Sequence, residues 1–257
     1  MQKEIFADPQ RRLTRAKSHI ESFQIGMRQY LGEKPYARVV ETEPDTGNLI
    51  HKIVCTAPIP VELFDLATEI IEGLRAVLDK CGYAAAEATG SPKLKGTAFP
   101  IAETEQKLQT DIIGRGRCRD LPQEILDVFL SFSPFKSGNF HIWALNQLAN
   151  GSKHRVITPV GAATGNSFVG SFKCPGRCIY AAFPPYWDKD KNEMHLCTVA
   201  PNARPTYQMR VDMTIELGEP GLPGGPADFV FKKMADEVEA IMKATKKATA
   251  KLMEQEP

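Results

Sequence analysis

The densest group of chemically capable side chains lies in one short run, Asn146-Gln-Leu-Ala-Asn150-Gly-Ser-Lys153-His154-Arg155. A histidine titrates near neutral pH, so His154 has the chemistry of a general acid/base or a ligand. Lys153 and Arg155 flank it with two cations that would hold an anion such as phosphate. Asn146 and Asn150 would orient the bound group. The ordinary reading of the same run is a helix end. Asn150-Gly151 tolerates left-handed backbone and suits a C-cap, and the three basic residues would favour the negative end of the helix dipole.

Glu69, Glu72, Arg75 and Asp79 stand three and four residues apart in a helical stretch. That spacing gives either surface ion pairs, each contributing about 0.2–0.5 kcal/mol, or a buried polar network that edges the apolar stripe of the same helix. Arg15 and His19 lie one turn apart and read as an exposed polar face. Cys174-Pro-Gly-Arg-Cys178 together with His195-Leu-Cys197 offers a Cys₃His zinc set, provided a hairpin brings the two pieces together. The tight CxxC knuckle common in such sites is missing. Arg115, Arg117 and Arg119 alternate in a glycine-containing loop that reads as solvated, with phosphate binding as the alternative. Lys243, Lys246, Lys247 and Lys251 read as a solvated helix face. GxxxxGK[ST], GxGxxG, GxSxG and HExxH are all missing, which counts against P-loop hydrolysis, dinucleotide redox chemistry and common hydrolase triads.

These side chains need elements to position them. Apolar residues at three- and four-residue steps predict helices over 10–32 and 61–88. Asp8 and Pro9 would open the first, as N-cap and first helical residue. The second carries a stripe wide enough for the centre of a bundle. Val-, Ile- and Thr-rich runs at 36–42 and 49–57 flank a Pro-Asp-Thr-Gly turn and predict a β-hairpin. Shorter helices are expected at about 103–113, 122–132 and 139–150. Period-two strands follow at 167–173, 177–183, 194–199 and 207–217. A Pro/Gly linker at 218–226 leads to a helix at about 227–254, whose heptad-like spacing suggests packing along another long helix. The fold class expected is α+β: a helical bundle with long terminal helices, plus an antiparallel sheet built from the early hairpin and four late strands. We expect one interleaved domain over 1–257, with a helical part at about 10–155 and a β-rich part at about 160–217.

With 32 basic and 31 acidic residues, the chain is close to neutral. A surface built wholly to hold nucleic acid would be far more basic. No apolar run approaches the roughly 20 residues of a membrane span, and the first residues lack the apolar core of a secretory signal. The expectation is a cytoplasmic protein with its six cysteines reduced.

Three segments in order resemble a family of uncharacterised bacterial proteins. Its members carry a helix like GDxxHNLRSALDHLA, then FPI, then a helix ending LxxLxNxDKHR. The matching stretches are 68–80, Phe99-Pro-Ile101 and Leu145–Arg155, and the likeness spans roughly 15–160. This chain has Glu69 where the family has its acidic start and Glu72-Gly73 in place of His-Asn. It has Lys80 in place of the later histidine, and Ser152 before Lys-His-Arg. The helical part is also faintly similar to HEPN domains, helical bundles that often act as metal-independent ribonucleases. Two readings of these residues are open. In the first, the chain is a non-enzymatic or small-anion-binding protein, with a second copy of itself as a partner; the polar helix network of Arg75, Asp79 and Glu69, with Asn146 and Asn150, and the Lys153–Arg155 loop are structural or bind the anion. In the second it is an RNA-acting enzyme with His154 as acid/base and Lys153 and Arg155 on the phosphate. No cofactor, metal or membrane is expected in either.

Overall fold

The structure is a computed structural model that describes residues 5–91, 94, 97–110, 118, 120–152, 159–163, 168–181, 187–188, 191–210, 213–217, 221 and 224–255. Helix α1 (Ala7–Gly32) buries Leu13, Ala16, Ile20, Phe23, Met27 and Tyr30, one stripe at helical spacing. Its start differs from the expected one. Phe6 occupies the N-cap position, and Asp8 lies inside the first turn, where its carboxylate pairs with Arg11 at 2.5 Å and Arg12 at 3.2 Å. Pro9 is tolerated there because the first-turn N–H groups have no helical acceptor. Helix α1 ends where Lys34 takes a left-handed φ of 55° ahead of Pro35.

Strands β1 (Tyr36–Thr42) and β2 (Leu49–Cys55) form the expected hairpin, with every residue of β1 paired. Its turn is closed by Glu43 N donating to Asn48 O at 2.8 Å, and Gly47 supplies a φ of 70°. Helix α2 (Val61–Ala88) follows. It has a dozen buried residues and runs through the middle of the core. Phe99-Pro100-Ile101 crosses it as extended chain, and Gly82 is what lets that chain come close. A Cβ there would overlap the Thr97 carbonyl oxygen.

Three shorter helices come next: α3 (Glu105–Gln109), α4 (Gln123–Ser131) and α5 (Phe140–Ser152). Helix α3 starts at Glu105, with Thr104 as N-cap accepting from Lys107 N at 3.2 Å; residues 111–113 of the expected 103–113 helix lie outside the described residues. Asn139 caps α5, its Oδ1 accepting from Ile142 N at 3.1 Å while its Nδ2 donates to Glu237 at 2.9 Å. Glu237 belongs to α6 (Ala227–Gln255). The heptad-like stripe of α6 is used inside the chain: it packs on α1, α2, α4 and α5, with Phe231 edge-on to Phe23 at a centroid distance of 5.2 Å.

The late strands are β3 (Pro159–Ala163), β4 (Phe168–Lys173), β5 (Cys178–Ala181), β6 (Trp187–Asp188), β7 (Glu193–Val199), β8 (Thr206–Arg210) and β9 (Met213–Leu217). The α+β class holds, with the β part divided further than expected. The early hairpin continues into β7, which also pairs β5 and β6, giving one five-stranded antiparallel sheet. The expected strand 207–217 is two strands with different partners, β8 on β4 and β9 on β3. Strand β3 was not expected at all: its Pro-Val-Gly-Ala-Ala is too short and too rich in small residues to show a period.

One irregularity matters below. In the register between β2 and β7, His51 faces Cys197 and Lys52 faces His195. Strand β7 therefore carries one extra residue between His195 and Cys197, a β-bulge. Two consecutive buried residues, Leu196 and Cys197, mark it in the burial pattern.

Two consequences are measurable. In an open helical site Gly→Ala is neutral or stabilising. Gly82→Ala should instead destabilise the fold by about 1–3 kcal/mol through overpacking, whereas Gly32→Ala, with open space around it, should not; urea unfolding of both variants checks this. The second concerns Glu239, which ties α6 to α1 by accepting from Lys17 at 2.7 Å and also pairs with Lys243 at 3.0 Å. Those two bonds hold its carboxyl below the usual 4.5. A carboxyl lowered on folding stabilises fully above its unfolded pKa and loses that contribution as pH falls through the folded one. Thermal melts from pH 5 downward should lose stability less steeply in Lys17→Met than in the wild-type chain.

Candidate functional site

The charged residues of α2 have separate fates. Arg75 and Asp79 build a polar brace. Asp79 Oδ1 accepts from Arg75 Nη1 at 2.6 Å and from Phe99 N at 3.0 Å. Arg75 Nη2 donates to Phe99 O at 3.2 Å, and its Nε donates to Asn146 Oδ1 at 3.2 Å. Both backbone groups of Phe99 are thus satisfied by one helix, and the same guanidinium holds α5. Of the two readings of these charges, the network is the one found for this pair. Each of the three guanidinium nitrogens donates one bond inside the fold, which leaves two of the five N–H groups.

Helix α5 continues through Asn150 and Gly151 to Ser152. Asn150-Gly151 is therefore not its C-cap. Leu148 and Ala149 are buried, and this burial carries the helix through the glycine. Asn146 is a brace residue, and Asn150 is exposed. Lys153, His154 and Arg155 lie outside the described residues, as do Arg115, Arg117 and Arg119.

Glu69 turns the other way, towards α1. Its Oε2 lies 3.0 Å from His19 Nδ1, at ion-pair distance but without hydrogen-bond alignment. His19 is thus not on a freely exposed face, and its side chain is 19% exposed. It lines a cleft of about 330 Å³ between α1 and α2, with Arg12, Arg15, Ala16, Glu69, Glu72, Gly73 and Ala76. Arg12, Arg15 and His19 fall on one face of α1 at steps of three and four. Gly73 lies beside Ala16 in the cleft, where an added Cβ would make ordinary contact at 3.5 Å from Ala16 Cβ. Among the described residues, the exposed Arg15 guanidinium has neither an ion pair nor a hydrogen bond. Sequence reading found Arg15, His19 and Glu69 but did not join them. They lie on two helices, and the spacing within either one does not join them. A larger cavity of about 620 Å³ lies towards the other end of the same helix pair. Its cations have partners there, Arg11 on Asp8 and Lys80 over the Tyr83 ring.

The cysteine–histidine set is divided by the β7 bulge. Cys197 faces the interior with Val199 and Ala203, and Cys174 packs against that cluster. Cys178 pairs with Val199 in the register and so shares the face. His195 is turned to the opposite face, where Nε2 meets Thr198 Oγ1 at 3.0 Å and the ring lies on Tyr180 at 5.0 Å. The expectation that His195 and Cys197 share a face fails, because one inserted residue inverts the alternation. Among the described residues no three Cys, His, Asp or Glu side chains gather as a metal site.

Removing Asp79 would leave Phe99 N and Arg75 without their shared acceptor inside the fold. Asp79→Ala should lower stability by about 1–3 kcal/mol, the range for a hydrogen bond to a charged group. Asp65→Ala, at an exposed position of the same helix, is the control. Denaturant midpoints decide.

No protein-family model, curated protein or solved structure matches this chain, so its function has to be read from its own residues.

Proposed function

We propose that the protein is a non-catalytic binder of a small anion, held in the cleft between α1 and α2. The carrying observation is Arg15, a cation without a partner among the described residues, at the rim of a cleft that also holds Arg12 and His19. A guanidinium offers a planar fork of donors that matches phosphate or carboxylate; Arg15 presents that fork, and Arg12, one turn away, pairs its Nε with Asp8 and would reach the anion through its Nη groups. Glu69 lies 3.0 Å from His19 Nδ1 on the α2 wall of the cleft. The volume of the cleft, about 330 Å³, suits a small anion. The near-neutral net charge agrees, because a long nucleic-acid footprint needs many more unopposed cations.

Titration with inorganic phosphate, followed by calorimetry or amide chemical shifts, tests the site. Arg15→Ala should weaken binding at least about tenfold, equivalent to about 1.4 kcal/mol. Unchanged binding in Arg15→Ala with loss in Lys153→Ala would move the anion to the end of α5 and overturn the cleft. Mixed RNA incubated with wild type and His154→Ala should stay intact with both. Cleavage by wild type that His154→Ala abolishes would replace the binding reading with an RNA-acting enzyme.

A further inference from the structure

Cys174 and Cys178 face each other across a turn that is built independently of them. Gly176 gives the reversal a φ of 104°. The turn is fastened at two points, by Ala200 N donating to Arg177 O at 2.9 Å and Arg204 N donating to Pro175 O at 3.2 Å. Its middle is pressed on Ala203, whose Cβ would lie 3.0 Å from a Cβ added at Gly176. The turn thus delivers the last residue before it and the first after it to one edge of the sheet. There the two thiols come within interaction distance of each other, with the Cys197 thiol behind them. Cys178 is exposed, Cys174 is half-buried and Cys197 is buried. With His195 on the other face, what remains at this edge is a pair of thiols with unequal access to solvent.

We propose that Cys174 and Cys178 form a reversible dithiol–disulfide pair that exchanges with low-molecular-weight disulfides of the glutathione class, Cys178 attacking and Cys174 resolving. The Cys178 thiolate attacks one sulfur of the small disulfide, forms a mixed disulfide and releases one small thiolate. The Cys174 sulfur then attacks Cys178 Sγ, displaces the second small thiolate and closes the Cys174–Cys178 bond. The dithiol is oxidised by two electrons, the small disulfide is reduced by two, and the two thiol protons leave on the two released thiols. Access sets the order of attack, since only Cys178 is exposed. Desolvation, with Cys178 beside it, holds the Cys174 thiol above its ordinary range, which favours the resolving role. Burial pushes Cys197 up to about 11, so it stays protonated and takes no part.

The experiment treats the full chain with excess oxidised glutathione and reads intact mass and peptide maps. Wild type should lose two hydrogens, give a Cys174–Cys178 crosslinked peptide and return to the dithiol with excess reduced glutathione. Cys174→Ser should trap a glutathione adduct on Cys178, and Cys178→Ser should give neither adduct nor crosslink at this turn. A stable glutathione adduct on wild-type Cys178, a crosslink that maps to Cys197, or no reaction of the folded wild type overturns the proposal. So does stoichiometric zinc on the purified chain with these thiols unreactive. Wild type alone can fail each of these, so the outcome does not depend on a variant folding.

Discussion

The Asp79 carboxylate, holding the Phe99 amide and the Arg75 guanidinium together, is the interaction on which the arrangement of the helical part depends. Phe99-Pro100-Ile101 is extended chain crossing the buried face of a helix, with no strand alongside Phe99 to bond its peptide groups. Buried peptide groups need partners, and here one turn of α2 provides both of them. The phenylalanine can then go down into the core against Phe129, at a centroid distance of 4.8 Å. Gly82 makes the crossing close enough for the bonds to form. Because Arg75 also reaches Asn146, the brace fixes α5 relative to α2 as well.

This bears on how function is assigned. Charged residues at helical spacing in a chain of unknown role invite a catalytic reading. Here the most conspicuous pair is spent on backbone groups, and its internal partners account for its presence. Arg15, on a different helix, has no partner among the described residues and stands beside a cleft. Chemical capacity in this molecule is found by asking which polar groups the fold leaves unused.

Much of the architecture was legible in the sequence. The stripes of α1, α2 and α6 each declared a buried face, and Pro, Asp and Gly in one turn declared the hairpin. The division of the late strands was not legible, because β8 and β9 read as one alternating run and only their different partners separate them. Nor was the brace. An Arg and an Asp four apart look the same whether they meet solvent or a peptide group, and the third member, Asn146, is 71 residues away. The face of His195 was misread for a related reason. A bulge belongs to the pairing of two strands, and a single strand's spacing assumes there is none.

That bulge decides which donors the sheet can combine. His195 and Cys197 stand two positions apart, where an unbroken strand would put both on one side of the sheet. The irregular register turns the imidazole away, so the nitrogen that would complete a tetrahedral Cys₃His set stays with Thr198 and Tyr180. An irregularity of one residue thus separates the sulfur donors of this sheet from its imidazole.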